Sequence, residues 1–399
     1  MIKERSPFTP GRPVPTEFFV GRITEIEKIM RSAKQVSLGK QENIFLCGER
    51  GIGKTSLASF IRYRAEKELA MVGVHTILGG VTTLEEMVKR IIDKLLKENI
   101  QNPIFAKLKS VFSNYIKEVG LFGVSVQFDV SDKELKNITD NFLTILRTIY
   151  DKIKDEKKGI LIILDDLNGL VREEKFANFI KSFIDEIATS QSPIPLMFVL
   201  CGLPERRQEL IDTQPSIARI FPVIEILPLD KSETIDFYKN IFEKEGIKIE
   251  PAILNILYQY SGGLPMLLHE VGDAVYWADN DNIISHDDAT IGISFATKNV
   301  GEKYLDRQVY KAIKSEKYRT ILDKMATSEI GMTFRKEGIE TKLNDSEKKV
   351  FNNFLQKMKK LGVITSGEKL GEYVFANELF RLYIRFEPIL RREKKHLLL

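Results

Sequence analysis

Residues 48–55 have the types and spacing of a phosphate-binding loop. They match the pattern G-x-x-x-x-G-K-[ST] and are Gly48, Glu49, Arg50, Gly51, Ile52, Gly53, Lys54 and Thr55. Glycines in this pattern let backbone N–H groups close around phosphate oxygens at the start of a helix, into which Ser56 continues. Lys54 would reach the β and γ phosphates, and the Thr55 hydroxyl would bind Mg²⁺. An ordinary glycine-rich loop is the alternative, but the complete pattern favours ATP or ADP with Mg²⁺.

Two carboxylates follow an apolar run further along the chain. Ile160 to Leu164 are all aliphatic, and Asp165 and Asp166 come directly after them. A strand that ends in this way delivers carboxylates beside bound phosphates, where Asp165 would hold Mg²⁺ through water and Asp166 would orient or deprotonate the attacking water. A strand that simply ends in a turn is the alternative. Together with the phosphate loop, the pair predicts an ATPase with Lys54, Asp165 and Asp166 as catalytic residues.

The elements that must position these residues alternate along the chain. Short apolar runs predict strands at 43–47, 72–78, 159–164, 196–201 and 223–227. Helical spacing separates these strands, with one further segment, 103–130, that resembles an insertion. Fully apolar strands separated by helices indicate a parallel sheet covered on both faces. The predicted fold class is therefore α/β, with the sheet of a P-loop NTPase.

Changes in composition predict four regions. Residues 1–17 contain four prolines and should form an extended arm, whereas 18–228 form the P-loop ATPase core. Residues 229–300 are mainly helical and suit a lid. Residues 301–399 contain predicted helices at 316–328, 333–342 and 346–361, followed by a hairpin, which is typical of a winged helix-turn-helix domain.

Composition excludes several classes of protein. The apolar runs are shorter than the roughly 20 residues that a membrane span needs, and the first residues lack the layout of a secretory signal, so we expect a cytoplasmic protein. Cys47 and Cys201 each end a predicted strand, which favours structural burial. The four histidines have no metal-ligand spacing, which argues against a zinc site.

The order of motifs along the chain resembles a known family. Phe19-Val20-Gly21-Arg22, the phosphate loop, Leu164-Asp165-Asp166, Gly262-Gly263-Leu264-Pro265 and a final winged helix resemble the archaeal-type ATPases of the STAND class, relatives of AAA+ and origin-recognition ATPases. The resemblance implies that Val20, Gly21 and Arg22 lie beside the adenine and ribose, and that Pro265 closes over the base. Without it, Gly21-Arg22 would be a surface loop, and Pro265 would begin a helix after a helix break.

Three positions bear on catalysis within that resemblance. Ile23 stands where the STAND pattern usually has an acidic residue, and the first acid is Glu25. Cys201 occupies the end of the fourth strand, where related AAA+ enzymes have a polar sensor residue, so slow hydrolysis is expected. Arg219 precedes the last strand, where related ATPases place an arginine that contacts phosphate in cis or from a neighbouring subunit. A surface salt-bridge arginine is the alternative for Arg219.

The C-terminal region is the basic part of the chain. Residues 301–399 hold 22 Lys+Arg and 14 Asp+Glu, a net of +8 in a chain whose total is +4. On its third predicted helix, Lys349, Gln356 and Lys360 fall outside the apolar stripe and are available to solvent or to a DNA groove. Winged helices also bind proteins, and lysine solubilises any helix, so both alternatives remain open.

Three functions are compatible with these features. The first is a regulatory switch, in which bound ATP and its slow hydrolysis control the C-terminal domain. The second is a loader or recognition ATPase that binds duplex DNA through that domain. The third is a hydrolysis-poor scaffold that binds a protein partner or a second copy of the chain, and in none of the three does the protein enter a membrane.

Overall fold

The structure is a computed structural model in which residues 3–113, 116–119, 125–167, 169–300, 303, 312–328, 330–376 and 380–385 are described. These residues divide into two compact units. The first runs from Pro13 to Leu227, and the second comprises the described residues up to Arg12 together with those from Pro228 onward. No helix in these ranges is both long enough and apolar enough to cross a bilayer.

The first unit alternates strands and helices. In chain order its elements are α1 (Ile23–Ser37), β1 (Ile44–Gly48), α2 (Lys54–Glu68), β2 (Met71–Ile77), α3 (Leu84–Glu98), α4 (Phe105–Val111), β3 (Ile116–Val119), β4 (Ser125–Phe128), α5 (Asp132–Asp140), α6 (Phe142–Ile153), β5 (Gly159–Asp165), α7 (Glu174–Thr189), β6 (Leu196–Gly202), α8 (Pro204–Thr213), α9 (Ile217–Ile220) and β7 (Val223–Ile226). The 103–130 segment supplies α4 and the antiparallel β3–β4 pair, and its residues 114, 115 and 120–124 lie outside the described ranges.

A parallel sheet forms the centre of this unit, and the sequence-based prediction of the fold class is confirmed. The described strands are ordered β2-β5-β6-β1-β7, and every pairing among them is parallel. All residues of β1, β5 and β6 are buried, because helices cover both faces of the sheet. Parallel strands bring their carboxyl ends to one edge, so the ends of β1, β5 and β6 meet there.

The second unit begins with helices and ends with a small sheet. Its elements are α10 (Lys231–Lys244), β8 (Lys248–Ile249), α11 (Pro251–Ser261), α12 (Pro265–Ala278), β9 (Ile283–Ile284), α13 (His286–Val300), α14 (Glu316–Ala326), β10 (Thr333–Arg335), α15 (Lys336–Glu340), α16 (Asp345–Lys360), β11 (Ile364–Ser366) and β12 (Glu372–Phe375). Among the described residues, the last three strands form an antiparallel sheet ordered β10-β12-β11.

The single helix predicted over residues 333–342 was wrong. The segment divides into β10 and α15, and Thr333 and Phe334 pair with Val374 and Tyr373 of β12. Burial alternates along β10, since Phe334 is buried between two exposed neighbours. Cross-strand pairing to a segment about 40 residues away therefore overrides the local helical pattern.

The start of the chain is anchored in the second unit by an aromatic side chain. Phe8 is 4% exposed and contacts the rings of Phe237, Tyr238 and Phe242. Gly272 of α12 makes room for it, because a Cβ there would lie 2.3 Å from Phe8 Cε1. The segment is also held by Lys3, whose ammonium donates to the Asp279 carboxylate at 2.5 Å.

This packing predicts a change of sign in a double-mutant cycle. Phe8→Ala should lower the free energy of unfolding by about 3–5 kcal/mol through lost burial and the cavity left behind. Gly272→Ala alone should lower it by about 1–3 kcal/mol, because the new methyl group overlaps the ring. In the Phe8→Ala background, the same Gly272→Ala change should be stabilising, since alanine favours a helix by about 1 kcal/mol over glycine.

Trp277, the one tryptophan of the chain, lies on α12 and reports urea unfolding of this unit by fluorescence. Gly338→Ala on α15 is the control, because a Cβ at Gly338 meets nothing within 4 Å. It should have the same small effect in both backgrounds. Equal effects of Gly272→Ala with and without Phe8 would contradict the proposed overlap.

Candidate nucleotide-binding site

The phosphate loop connects β1 to α2 at the carboxyl edge of the parallel sheet. β1 ends at Gly48 and α2 begins at Lys54, as the motif requires. Gly51 and Gly53 have φ values of 79° and 92°, a left-handed conformation that glycine adopts without a steric penalty. Ile52 between them is buried and anchors the loop. The first N–H groups of α2 are therefore available to phosphate oxygens.

Lys54 is held inside this loop. Its Nζ donates to the carbonyl oxygens of Gly48 at 2.6 Å and Glu49 at 2.8 Å. Burial lowers the pKa of Lys54, and nearby negative groups that include Asp165 offset part of the effect. The hydrogen bonds of the Lys54 ammonium go to neutral carbonyl groups of the loop, so a phosphate anion would be a stronger partner.

Asp165 lies at the end of β5 and is 3% exposed. Burial alone would raise the pKa of its carboxyl group, but side-chain hydrogen bonds from His75 and Thr55 outweigh burial and lower it. The backbone N–H of Asp166 also donates to Asp165 Oδ1, at 2.9 Å. Asp165 is therefore an ionised carboxylate that contacts the hydroxyl of the loop residue Thr55.

Asp166 differs from Asp165 in exposure and backbone conformation. Its φ is 58°, in the left-handed region where residues other than glycine are uncommon and asparagine and aspartate are enriched, and its side chain is exposed. Its carboxylate lies against Gly79, where a Cβ would come within 2.6 Å of Asp166 Oδ2. The structure thus has one buried carboxylate and one that water reaches.

The Val20-Gly21-Arg22 segment contacts the phosphate loop through its arginine. Arg22 is buried, has a φ of 62°, and donates from its guanidinium to the Ile52 carbonyl at 3.3 Å. Glu25, the first acid after Arg22, lies 3.7 Å from the same guanidinium. Just upstream, the Val14 N–H donates to Ser56 Oγ at 3.1 Å. The segment before α1 therefore lies along the loop and the first turn of α2.

The donor set fits Mg²⁺. The Thr55 hydroxyl and the Asp165 carboxylate are in contact, and both are hard oxygen ligands. Mg²⁺ is commonly held by one or two protein oxygens, with waters and substrate phosphates completing the octahedron. Among the described residues there is no cluster of three or more His, Cys, Asp or Glu side chains suited to a metal, so a metal cage built by the protein alone is absent from them.

Other predicted site residues lie in different surroundings. Cys201 on β6 pairs in register with Asp165, and burial raises the pKa of its thiol well above the ordinary value. Arg219 is exposed on the short helix α9, and the hydrogen bonds and ion pairs of the described residues do not join it to the phosphate loop. Pro265 is the first residue of α12 in the second unit. The roles predicted for Arg219 and Pro265 remain predictions.

One residue that the sequence pattern missed contacts this site. His75 on β2 lies 3.1 Å from Asp165, measured from Nε2 to Oδ2. Spacing along the chain gives no signal, because 90 residues separate the two. A signal exists only once β2 is known to pair with β5, since Ile77 is in register with Asp165 and His75 lies two residues earlier on the same face.

The parallel sheet, the glycine loop and the buried carboxylate together define a P-loop NTPase. The chain belongs to the family described as the ATPase domain predominantly from Archaea, whose model matches residues 19–271. This match confirms the resemblance to archaeal-type ATPases of the AAA+ class and supports ATPase activity in general terms.

Individual relatives are more distant. A curated protein of Methanocaldococcus jannaschii, described as an uncharacterized HTH-type transcriptional regulator, is 23% identical over 242 residues. That alignment covers 58% of this chain and 55% of the relative, so the chain spans about half the length of the curated relative it matches.

Distant solved structures match most of this chain. A Walker-type ATPase of Pyrococcus abyssi is 17% identical with a TM-score of 0.57, and the match covers 94% of this chain and 99% of that one. The ORC2 protein of Aeropyrum pernix in its ADP form is 13% identical with a TM-score of 0.49, over 93% of each chain.

Asparagine substitutions should separate the two carboxylates. Asp165→Asn should weaken binding of ATP in the presence of Mg²⁺ by about 10-fold or more, as loss of a group that holds a metal through its outer shell does. Asp166→Asn should leave that affinity unchanged and lower turnover by about 100-fold or more, as loss of a general base does. Asparagine also tolerates the left-handed backbone at 166.

Calorimetric titration measures the affinities, and phosphate release measures turnover. Each variant replaces one carboxylate oxygen by an amide nitrogen, at adjacent positions, so each serves as the control for the other. If Asp166→Asn lost Mg²⁺-dependent affinity while Asp165→Asn kept it, the two assignments would be reversed.

Proposed function

We propose that this protein is an ATP-binding, slowly hydrolysing ATPase of the STAND/AAA+ type that acts as a nucleotide-dependent switch on its C-terminal domain. The observation that carries the proposal is the meeting of Lys54, Thr55 and Asp165 at one edge of the sheet. A cation held by loop carbonyls and an ionised carboxylate beside a hydroxyl are the groups that Mg²⁺ and a triphosphate require.

Several residues have assigned roles in this proposal. Lys54 contacts the β and γ phosphates, Thr55 and Asp165 hold Mg²⁺, and Asp166 orients the attacking water. The loop residues and Ser56 bind phosphate through their backbone. Val20 and Gly21 lie by the nucleoside, whereas Arg22 acts by fixing the loop through the Ile52 carbonyl. Mg²⁺ would supply charge neutralisation of the phosphates when bound.

Slow turnover is supported by the surroundings of Asp165. The residue beside it in the sheet is Cys201, whose buried thiol stays protonated. A thiol is a weak hydrogen-bond donor, so it orients a water or a γ-phosphate less firmly than an amide or hydroxyl would. Hydrolysis that is slow relative to binding suits a switch better than a motor.

The second unit would carry the output of the switch. We assign residues 1–17 to an arm, 18–228 to the ATPase core, 229–300 to a helical lid and 301–399 to a winged helix-turn-helix domain. The arrangement of α14, α15 and α16 with the β10-β12-β11 sheet supports the last assignment. Further support comes from the Methanocaldococcus relative, which is described as an HTH-type transcriptional regulator.

Duplex DNA is the partner we favour for that domain. On α16, Phe351, Phe354 and Met358 are buried, whereas Lys349 and Lys360 are exposed, as is Gln356. A helix with this division can place its polar face in a major groove and its lysines on phosphates. The net charge of +8 over residues 301–399 favours the same polyanion.

ATP itself provides the first test. At 100 times its dissociation constant, ATP with Mg²⁺ should raise the free energy of unfolding of the first unit by about 2.7 kcal/mol. Lys54→Ala should abolish this gain, because the cation that meets the phosphates is lost. Lys28→Ala, which removes an exposed lysine from α1, should retain it. Stabilisation of the Lys54→Ala protein equal to that of the wild type would place the nucleotide elsewhere.

Salt dependence tests the DNA partner. Lys349→Glu with Lys360→Glu should weaken duplex binding and lower the slope of log affinity against log salt by about two, one for each lost phosphate contact. Lys239→Glu with Lys248→Glu makes the same charge change at exposed sites in the lid and should have little effect.

Fluorescence anisotropy at about 50 and 200 mM salt covers the range in which counterion release dominates. Equal weakening by the two lysine pairs would indicate a general charge effect. ATP turnover that DNA leaves unchanged, with no duplex binding at the lower salt, would favour a protein partner for the domain.

A further inference from the structure

A hydrogen-bonded chain connects α2 to Asp165 through a buried histidine. Ser59 Oγ lies 3.1 Å from His75 Nδ1, and His75 Nε2 lies 3.1 Å from Asp165 Oδ2. His75 is 7% exposed and Asp165 is 3% exposed. These three residues, the Ser59–His75–Asp165 chain, come from α2, β2 and β5.

The chemistry of the groups fixes the direction of the donors. An ionised carboxylate can only accept, so His75 Nε2 must carry the proton and donate to Asp165 Oδ2. When the ring is neutral, Nδ1 accepts a hydrogen bond from the Ser59 hydroxyl. In that state Ser59 favours the tautomer that donates to Asp165, as outer-shell partners do for histidines in metal sites.

The spacing of residues along helix α2 and the pairing of β2 with β5 together place the three residues of the Ser59–His75–Asp165 chain. Thr55 and Ser59 are four residues apart on α2, so they lie on one face of the helix. Thr55 bonds Asp165 directly, and Ser59 reaches the same carboxylate through His75. On the sheet, His75 shares a face with Asp165 because β2 pairs in parallel with β5. Helix α2 therefore holds Asp165 through two of its residues, directly through Thr55 and indirectly through Ser59 and His75.

The carboxylate has few acceptor positions left. It accepts from His75, from the Thr55 hydroxyl and from the Asp166 N–H, which accounts for three of the roughly four lone-pair sites of a carboxylate. With its orientation fixed by donors on different elements, the group cannot rotate freely. A buried carboxylate without these donors would pick up a proton or change its rotamer.

We propose that His75 is a positioning residue for the magnesium site, which holds Asp165 through Nε2 and is itself held by Ser59. The proposal rests on the proposed function, since it assigns His75 to the outer shell of the metal that Thr55 and Asp165 would bind. A purely structural histidine, which only fills space between α2 and β5, is the alternative.

A positioning role and a purely structural role of His75 predict different effects on how much Mg²⁺ tightens ATP binding. The measurement is calorimetric titration of ATP into the protein with excess MgCl₂ and, separately, with EDTA. The ratio of the two dissociation constants reports how much the metal tightens binding. His75→Phe keeps a ring of similar size but removes both nitrogens, and it should reduce this ratio by about 10-fold or more, as loss of outer-shell partners does.

Rescue by a donor is the sharper part of the experiment. His75→Gln can present an N–H near the position of Nε2 and should restore most of the ratio, although it packs less well than phenylalanine. Ser59→Ala removes only the outer link and should cost less than His75→Phe. His269→Phe, a change at another buried histidine in the second unit, should leave the ratio unchanged.

Each outcome has one meaning. If His75→Phe weakened binding equally with MgCl₂ and with EDTA, or if His75→Gln failed to restore the ratio, the positioning role would be overturned while the proposed function stood. If the wild-type protein bound ATP no better than Lys54→Ala does, the proposed function would fail and this assignment with it. Thermal unfolding confirms that each variant is folded, and Ser59→Ala remains informative if His75→Phe is not.

Discussion

The site depends on one constraint, which is the burial of an ionised carboxylate at the carboxyl edge of the sheet. Removing a charge from water costs several kcal/mol unless hydrogen bonds and opposite charge replace the solvent. Asp165 meets this requirement with donors from His75, Thr55 and the Asp166 backbone. Those donors lie on β2, on α2 and next to β5 itself. The strand order β2-β5-β6-β1-β7 is what brings them together.

The same constraint explains why the residue beside Asp165 is not ionised. Cys201 is in register with Asp165 and buried, so a thiolate there would face a carboxylate in a medium of low dielectric. Burial raises the pKa of the Cys201 thiol well above its ordinary value, the Asp165 charge raises it further, and the thiol acts as a small apolar group. The Asp165 carboxylate and the Lys54 ammonium are thus charges of opposite sign at this edge of the sheet.

Local patterns predict the parts of this fold that local physics controls. The phosphate loop and the buried strands were predictable because glycine positions and apolar runs act within a few residues. Three features could not be predicted, because each depends on a contact with a distant segment. They are the role of His75, the carbonyl that Arg22 contacts, and the strand β10. Arg22 meets a carbonyl 30 residues away, and His75 meets a carboxylate 90 residues away. Such pairs require the strand order, which composition and periodicity leave open.

Helix α2 links these contacts to the nucleotide. Within its first two turns, Lys54 bonds the loop carbonyls, Thr55 bonds Asp165, Ser56 accepts from Val14, and Ser59 bonds His75. Four neighbouring side chains thus connect one helix to the phosphate loop, β5, β2 and the segment before α1. A phosphate at the N-terminus of α2 acts on the helix that carries all four contacts. A shift of that helix would therefore change the surroundings of Asp165 and of the segment before α1 together, because hydrogen bonds from the one helix reach both.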